Sequence, residues 1–253
     1  MMKITSTSND RIKFLKTLKS KKGRTEKGLY LIEGKRAVLD AIEHGVKFKS
    51  VLIEEGITFD FSCQCEIIEV SRRVIEVLSD TSSPEGIIAE AYIPDLTFDI
   101  NKIRGLVVFL DRLQDAGNLG TIIRTADALG AGAVVLSKDC VELFNPKTVR
   151  ATMSSIFNIS IMLASDSIDA LQKIKDSGYT VYSAALDGED FNSVKDIDSE
   201  KSCIIIGNEG NGICDEILSF SDKIITLPMR GGAESLNAAI AAGILIYGFT
   251  FRK

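Results

Sequence analysis

The sequence is poor in the residues on which several large enzyme classes depend. Its 253 residues include a single histidine, His44, no tryptophan, and no C-x-x-C pair. A Ser-His-Asp or Cys-His hydrolase would have to rely on His44 alone, and a Cys/His metal site would lack ligands. The sequence therefore disfavours hydrolytic and zinc-dependent functions, and we expect no bound metal.

The cysteines are few and scattered. There are five, and two of them, Cys63 and Cys65, are separated by one residue. An odd number without regular spacing is not typical of a disulfide framework. We expect all five thiols to be reduced and mostly buried, where they would pack as small apolar side chains.

Long apolar runs are also absent. The best candidate, Ala238–Phe249, is shorter than the roughly 18 residues that a membrane helix needs. Residues 1–13 are polar and basic and lack the apolar stretch of a secretion signal. With 45% hydrophobic and 26% charged residues, the sequence predicts a globular protein of the cytoplasm.

Charge is distributed unevenly along a chain whose net charge is −5. Residues 1–50 contain thirteen Lys or Arg against five Asp or Glu, so they carry about +8 and the remainder about −13. Seven of these basic residues crowd into positions 13–27. Such a run is either a solvated helix face or a surface that contacts phosphates, and charge alone leaves both alternatives open.

Hydrophobic periodicity divides the chain into two α/β regions. Residues 1–93 alternate short strands with helices, which predicts a small α/β domain. Residues 94–104 lose this periodicity and are expected to form a linker. Residues 105–253 contain continuous apolar strands such as Leu106–Leu110, which are typical of a parallel sheet buried on both faces.

A first polar segment, DRLQDAGNLGTIIR, follows the strand Leu106–Leu110. We expect a helix over Leu119–Leu129, with Asn118 as its N-cap and Arg124 on its second turn. Taken alone, this segment is explained as well by an ordinary capped helix with a surface arginine.

A second segment, GNEGNG at 207–212, follows the predicted strand Cys203–Ile206. Its glycines allow a ligand to approach the backbone closely, and Glu209 stands among them. The G-x-x-G-x-G spacing, on the fourth strand of this region, differs from the G-x-G-x-x-G of dinucleotide-binding folds. A nicotinamide-dependent dehydrogenase is therefore a poor fit.

A third segment, LPMRGGAESLN at 227–237, leads into a helix predicted for Glu234–Phe249. Ser235 and Asn237 would lie in the first turn, where backbone N–H groups are unpaired and a ligand can bind. The helix is apolar nearly all round, which predicts that it is buried, and a subunit interface is one way to bury it.

In combination, these segments resemble the SpoU/TrmH family of RNA ribose 2'-O-methyltransferases, in the SPOUT class. The pattern is N-x5-R after the first strand, GNEG before a helix, and LPM-x6-LN near the C-terminus; the run NPKTVRATM at 145–153 also fits. Residues 1–93 resemble the ribosomal-protein-like RNA-binding domain of many members. The sequence departs from the family pattern by having Leu227 for isoleucine, Ser154 for glycine, and Ala238-Ala239 for Val-Ser.

The resemblance implies the architecture and the reaction. The fold would be a small α/β RNA-binding domain followed by a parallel-sheet domain with a deep trefoil knot, and the protein a homodimer formed through the second domain. The activity would be S-adenosylmethionine-dependent methylation of a ribose 2'-hydroxyl in RNA. Ribosomal RNA is favoured over transfer RNA, because an additional RNA-binding domain suits a large structured target.

The resemblance also assigns residues to roles. Arg124 would act on the 2'-hydroxyl, as base or as stabiliser of the alkoxide, and the second is favoured because a guanidinium loses its proton only in strongly basic solution. The ribose and Arg124 would be oriented by Asn118, Glu209, Ser235 and Asn237. The cofactor would be bound by backbone groups of Gly207, Leu227 and Leu236, with Met229 and Ala184 as walls. RNA would contact Lys13, Lys16, Lys21, Arg24, Lys35, Lys147 and Arg150.

One alternative of a different class remains, an RNA-binding ribosome assembly factor with a non-catalytic cofactor site. A decayed site should have lost at least one of Asn118, Arg124, Glu209, Ser235 and Asn237, and all five are present. Binding of S-adenosylmethionine separates the two hypotheses.

Overall fold

The computed structural model describes residues 2–252, which form two compact units. The first comprises residues 2–95 and Glu142–Phe157, and the second comprises Leu96–Val141 and residues 158–252. The segment Glu142–Phe157 thus packs with the first unit, although it lies within the sequence range expected for the methyltransferase domain. None of the helices in the described residues is long and apolar enough to cross a membrane.

The first unit is a five-stranded sheet with helices, in the strand order β1-β4-β3-β5-β2. Its strands are β1 (Met2–Ile4), β2 (Leu29–Glu33), β3 (Phe48–Glu54), β4 (Glu66–Val70) and β5 (Ile87–Tyr92). Its helices are α1 (Asp10–Thr17), α2 (Lys21–Lys27), α3 (Lys35–Glu43), α4 (Arg72–Leu78) and α6 (Pro146–Ala151). Strands β1, β4 and β3 are parallel, whereas β5 runs antiparallel to β3 and β2.

Helix α1 shows how the basic N-terminal stretch folds. Asn9 accepts a hydrogen bond from the backbone N–H of Arg11 at 2.8 Å and caps the helix. Ile12 and Leu15 are fully buried against the sheet, so the charged residues between them point outward. Gly28, at φ +62°, ends α2 in the left-handed conformation that glycine adopts without strain.

The second unit is a six-stranded sheet in the order β11-β9-β10-β6-β7-β8, in which every pairing is parallel. Its strands are β6 (Val107–Leu110), β7 (Ala133–Ser137), β8 (Ser160–Ala164), β9 (Thr180–Asp190), β10 (Ser202–Ile206) and β11 (Lys223–Thr226). Its helices are α5 (Ala116–Ala128), α7 (Ser167–Asp176), α8 (Asp215–Phe220) and α9 (Ala238–Phe251). All residues of β6, β7 and β10 are buried, as their continuous apolar sequences predict.

Residues 96–104, which were expected to be linker, are part of the second unit. The carbonyl of Leu96 accepts a hydrogen bond from the N–H of Leu163 at 2.7 Å, and Ile103 is buried in the core. They lie beside β8, an edge strand that the sequence analysis missed. Its sequence, SIMLA, contains an apolar run of four residues, although Leu163 is 44% exposed at the edge of the sheet.

Two helix starts differ from the prediction, and both bear on the site. Helix α5 begins at Ala116, with Asp115 as N-cap accepting a hydrogen bond from the N–H of Asn118 at 2.8 Å. Asn118 is therefore inside the first turn rather than its cap, and Arg124 lies on the third turn. Helix α9 begins at Ala238, so Ser235 precedes it and Asn237 is its N-cap.

Helix α9 is only half buried within its own unit, so the expected burial of its other face would require a subunit interface. Ala242, Leu245 and Ile246 pack inside the second unit. The opposite face is exposed and carries Ile240, Ile244, Tyr247 and Phe251, which are 45–60% exposed. Their spacing places all four on one side of the helix.

The expectation of five reduced cysteines is wrong for one pair. Cys63 and Cys65 form a disulfide in an irregular segment before β4, where their Cα atoms are 5.5 Å apart and within bridging reach. Cys140, Cys203 and Cys214 are free thiols. Cys203 is fully buried in β10, and burial raises the pKa of the half-buried Cys140 thiol.

Candidate active site

The three predicted segments leave the same edge of the second sheet. They follow the carboxyl ends of β6, β10 and β11, and β6 and β10 are direct neighbours. In parallel sheets this edge is where ligands bind, because loops from adjacent strands converge there. The polar residues of these loops are consequently brought together from positions about 90 to 120 residues apart.

Three of the predicted catalytic residues form one chain of hydrogen bonds. The Asn118 Nδ2 donates to Oε1 of Glu209 at 3.0 Å, and the Asn237 Nδ2 donates to Oδ1 of Asn118 at 2.9 Å. Oδ1 of Asn237 in turn accepts from the backbone N–H of Ala239 at 2.9 Å and caps α9. We call Asn118, Glu209 and Asn237 the amide–carboxylate network; it ties α5, the loop after β10 and α9 together.

The carboxylate of Glu209 is the anchor of this network. It also accepts hydrogen bonds from the backbone N–H groups of Gln114 at 3.1 Å and Asp115 at 3.0 Å. Partial burial raises the pKa of Glu209, but the bonds from Asn118, Asp115 and Gln114 outweigh it, so the net pKa lies below its ordinary value. Glu209 is therefore an anionic acceptor whose oxygens are already engaged by three donors.

A second set of contacts, missed in the sequence, fastens the loop after β6 to the loop after β10. Asp111 is buried, and its Oδ2 accepts from Nη2 of Arg112 at 3.0 Å and from the N–H of Cys214 at 3.1 Å. Nδ2 of Asn208 donates to the carbonyl of Arg112 at 2.9 Å. The sequence signal for Asp111 was its position directly after a buried apolar strand.

Gly207 has a steric role in the same loop. A Cβ at this position would lie 2.4 Å from the carbonyl carbon of Gly212, so the loop can close only around glycine. The loop is held in this tight turn by backbone bonds of 3.0 Å in both directions between Asn208 and Gly212.

Arg124 and Ser235 stand apart from the amide–carboxylate network. Both side chains are exposed, and neither side chain makes a hydrogen bond or ion pair with another described residue. Arg124 lies six residues beyond Asn118 on α5, roughly 9 Å further along the axis. Its guanidinium is therefore available to a ligand.

The segment 227–236 has the features of a main-chain binding site. Its backbone N–H and C=O groups make no hydrogen bonds with other backbone groups of residues 2–252. The apolar side chains of Met229 and Leu236 are each 37% exposed, and Leu227 is half buried. Free main-chain donors and acceptors beside apolar side chains suit a nucleoside-containing cofactor such as S-adenosylmethionine. The predicted wall residue Ala184 lies in β9 and is half buried.

The predicted RNA contacts all fall in the first unit, and six of the seven reach its surface. Lys16 is half buried, and the other five are exposed: Lys13, Lys21, Lys35, Lys147 and Arg150. Arg24 is the exception, because its side chain is 2% exposed. Its Nε donates to Oε1 of Glu142 at 2.7 Å and its Nη1 to the carbonyl of Leu18 at 2.8 Å. Arg24 is thus a structural residue, which corrects the prediction.

Comparison with known families and proteins agrees with both units. The SpoU rRNA Methylase family model matches residues 105–247, and the MRM3-like substrate binding domain model matches residues 9–89. The chain is 34% identical over 250 residues to the 23S rRNA (guanosine(2553)-2'-O)-methyltransferase RlmP of Bacillus subtilis, with 98% of each chain covered. It is 27% identical over 239 residues to the 23S rRNA (uridine(2479)-2'-O)-methyltransferase of Streptomyces viridochromogenes, covering 88% of this chain and 83% of that one.

Solved structures resemble the chain over nearly its whole length. The AdoMet-bound rRNA methyltransferase of Sinorhizobium meliloti superposes with a TM-score of 0.88 at 31% identity, covering 97% of this chain and 95% of that one. The SpoU methyltransferase AviRb of Streptomyces viridochromogenes, in complex with AdoMet, gives a TM-score of 0.86 at 26% identity, with 96% and 97% covered.

Proposed function

Since the chain belongs to the SpoU rRNA methylase family, we propose that it transfers a methyl group from S-adenosylmethionine to a ribose 2'-hydroxyl of ribosomal RNA. The observation that carries this proposal is the amide–carboxylate network, which holds α5, the loop after β10 and α9 together, with the exposed Arg124 further along α5. The relatives named above act on 23S ribosomal RNA, and structures of two similar enzymes contain the cofactor.

Methyl transfer requires an in-line displacement at the methyl carbon. When bound, S-adenosylmethionine supplies an electrophilic methyl group on its sulfonium. The protein must align the ribose oxygen with that carbon and stabilise the oxygen as the hydroxyl proton passes to solvent water. The residues of the chain are suited to both tasks.

In the proposed mechanism, Arg124 stabilises the developing alkoxide. A guanidinium is permanently protonated and has only donors, so it is better suited to holding an oxyanion than to accepting a proton. The exposed, unpaired state of Arg124 leaves those donors free for the ribose or a neighbouring RNA phosphate. Asn118, Glu209 and Asn237 position the loops, and the exposed Ser235 hydroxyl contributes a further contact to the ribose.

Main-chain groups of Gly207, Leu227 and Leu236 are proposed to hold the cofactor, with Met229 and Ala184 packing against it. The unbonded backbone of segment 227–236 supports this assignment. The trefoil knot implied by the family resemblance would involve these same loops, and it remains part of the proposal.

We also propose that the protein is a homodimer formed through α9. The exposed stripe of Ile240, Ile244, Tyr247 and Phe251 is continuous and apolar, which is typical of an interface between subunits. A second copy of the chain would cover it. A cytoplasmic location, where ribosomal RNA is modified, completes the proposal.

Two measurements test the function directly. Calorimetry with S-adenosylmethionine should detect binding at a single class of site per chain. Incubation with 23S ribosomal RNA and methyl-labelled S-adenosylmethionine, followed by digestion to nucleosides, should yield a labelled 2'-O-methylnucleoside. Cofactor binding without transfer to any ribosomal RNA, or no binding at all, would favour the assembly-factor alternative.

A further inference from the structure

Three cationic side chains of the first unit converge on one aromatic ring. The Lys49 ammonium lies 4.8 Å from the centroid of the Phe14 ring, the Arg11 guanidinium 5.3 Å and the Lys27 ammonium 6.0 Å. We call Arg11, Phe14, Lys27 and Lys49 the Phe14 cluster. Its members come from α1, α2 and β3, so the fold rather than the sequence brings them together.

A buried carboxylate holds two of these cations in place. Glu90 on β5 is 0% exposed, and Arg11 forms an ion pair with it. The Lys49 ammonium lies 3.7 Å from Oε1 of Glu90, and the Ser50 hydroxyl donates to Oε2 at 2.8 Å. A buried carboxylate needs such partners, and in this cluster they fix the positions of two positive charges that reach the surface.

A bulge in β3 places the side chain of Lys49 in this cluster. Opposite β5, Phe48 pairs with Ala91 and Ser50 pairs with Glu90, so Lys49 is an additional residue in the ladder. A regular strand would send Lys49 and Ser50 to opposite faces, yet both contact Glu90. Bulges of this kind redirect a side chain and occur often beside functional sites.

The charges of the Phe14 cluster do not cancel. Arg11, Lys27 and Lys49 contribute three positive charges, and Glu90 offsets one of them. Lys27 forms no ion pair with any residue that the structure describes. An excess of two preorganised positive charges on one surface is complementary to a polyanion.

Other basic residues of this unit lack that arrangement. Lys3 forms ion pairs with Glu55 and Glu69, and Lys22 lies 3.8 Å from Glu26. Each of these two lysines is locally neutralised by a carboxylate.

We propose that Arg11, Lys27 and Lys49 form a phosphate-binding site that grips the RNA backbone of the substrate. The inference rests on the proposed function for its partner, which is RNA, but its site is separate from the methyl-transfer residues. Of these three residues only Lys27 belongs to the basic run 13–27, so the proposal adds Arg11 and Lys49, which folding brings beside it.

The test compares two double variants that remove the same charge from the same unit. Lys27→Ala/Lys49→Ala removes two cations of the cluster and leaves Arg11 and Ser50 to pair Glu90. Lys3→Ala/Lys22→Ala is the matched control. Binding to a 23S ribosomal RNA transcript is measured as a function of salt concentration, and thermal unfolding checks that each variant folds.

The cluster variant should bind RNA about tenfold more weakly near 0.15 M salt, and its log–log salt slope should fall by about 2. The control should change affinity less than about threefold. Lys27→Arg/Lys49→Arg should restore binding. Equal losses of affinity in both double variants would overturn the proposal, because they would indicate a response to net charge alone. Wild-type affinity in the cluster variant would also overturn it.

Methyl transfer measured over a range of RNA concentrations at low salt keeps the two proposals distinguishable. If the cluster is a binding site only, the cluster variant should raise KM for RNA and leave kcat within about twofold of wild type. If the wild-type protein transfers no methyl group, the proposed function fails, but the salt-dependent binding experiment still decides the role of the cluster.

Discussion

Glu90 in the first unit and Glu209 in the second each organise the residues around them, and they do so in opposite ways. Glu90 in the first unit is fully buried and is surrounded by cations and a hydroxyl. Glu209 in the second unit is largely exposed and is held by uncharged donors, the amide of Asn118 and two backbone N–H groups.

This difference matches what each unit has to bind. Cations gathered around Glu90 exceed its charge, so the surface they form attracts phosphates without reading sequence. Neutral donors around Glu209 leave no excess positive charge and instead fix the relative positions of three loops. In the second unit the positive charge on α5 comes from Arg124, which is not tied to any carboxylate.

The largest expected effect in the second unit comes from Arg124→Ala. Loss of the group that stabilises the alkoxide should lower kcat for methyl transfer by about 10²–10³-fold or more. Cofactor affinity and melting temperature should stay near wild type, since the side chain is exposed and unpaired. Lys102→Ala, which removes an exposed cation before β6, at the opposite edge of the sheet, is the control and should keep its activity. Wild-type turnover in Arg124→Ala would remove this residue from the mechanism.

Glu209→Ala should have the second-largest effect on methyl transfer. It leaves the donors of Asn118, Gln114 and Asp115 without their acceptor, and we expect kcat to fall by about 10–10²-fold because the loops lose alignment. Glu216→Ala, an exposed carboxylate on α8, is the matched control. Equal activity of the two variants would show that Glu209 is not an organising residue.

A pH titration of Glu209 tests whether its hydrogen bonds stabilise the carboxylate. Because the folded pKa of Glu209 is depressed, its stabilising contribution is present above the unfolded pKa and is lost as pH falls through the lower folded value. Asn118→Ala removes the first of the hydrogen bonds that lower this pKa, so the pKa should rise. A carboxyl-detected NMR titration of both proteins measures the shift, and no change, or a fall, would contradict the assigned role of Asn118.

The stripe on α9 offers a test that concerns assembly. Ile244→Asp places a charge in the centre of the exposed apolar face and should convert the proposed dimer to a monomer at micromolar concentration. Sedimentation equilibrium measures the change, with Thr121→Asp on the exposed surface of α5 as control. A wild-type protein that is already monomeric would contradict the dimer.

The smallest expected effect is a gain in stability in the first unit. Ser154 has φ +76°, a left-handed conformation that costs a non-glycine residue about 1–2 kcal/mol. Ser154→Gly relieves this strain but adds unfolded-state entropy, so unfolding should become harder by about 0.5–1 kcal/mol. Ser155→Gly next to it, where φ is not positive, should instead destabilise by a similar amount. Chemical denaturation compares the two.

Most of the helices and strands could be predicted from local patterns in the sequence. Continuous apolar strands such as β6 and β10 were predictable because burial on both faces leaves no alternation in the sequence. Strand β8 has a similar apolar run, at residues 161–164, but the run is short, and a short apolar run alone does not distinguish a strand from part of a helix. The start of α5 was misplaced because both Asp115 and Asn118 are good N-caps, and only the structure shows which one binds the free N–H groups.

Contacts between residues that are far apart in the sequence could not be predicted. In the sequence, Arg24 cannot be distinguished from its basic neighbours, because the residue that pairs with its buried side chain, Glu142, lies 118 positions away. The Phe14 cluster depends on an additional residue in β3, and no periodicity reveals where Lys49 points. A parallel sheet predicts that the loops carrying Asn118, Glu209 and Asn237 meet at one edge, but the bonds between these residues, 91 and 119 positions apart, carry no local signal.

The central claim, ribose methylation that depends on Arg124, is tested most directly by mapping 2'-O-methylation across 23S ribosomal RNA. Unmodified transcript is incubated with S-adenosylmethionine and either wild-type protein or Arg124→Ala, and then cleaved in alkali, which spares the bond following a 2'-O-methylated ribose. We predict one new protected position with the wild-type protein and none with the variant. A methyl group found on a base, or equal protection by both proteins, would contradict the account.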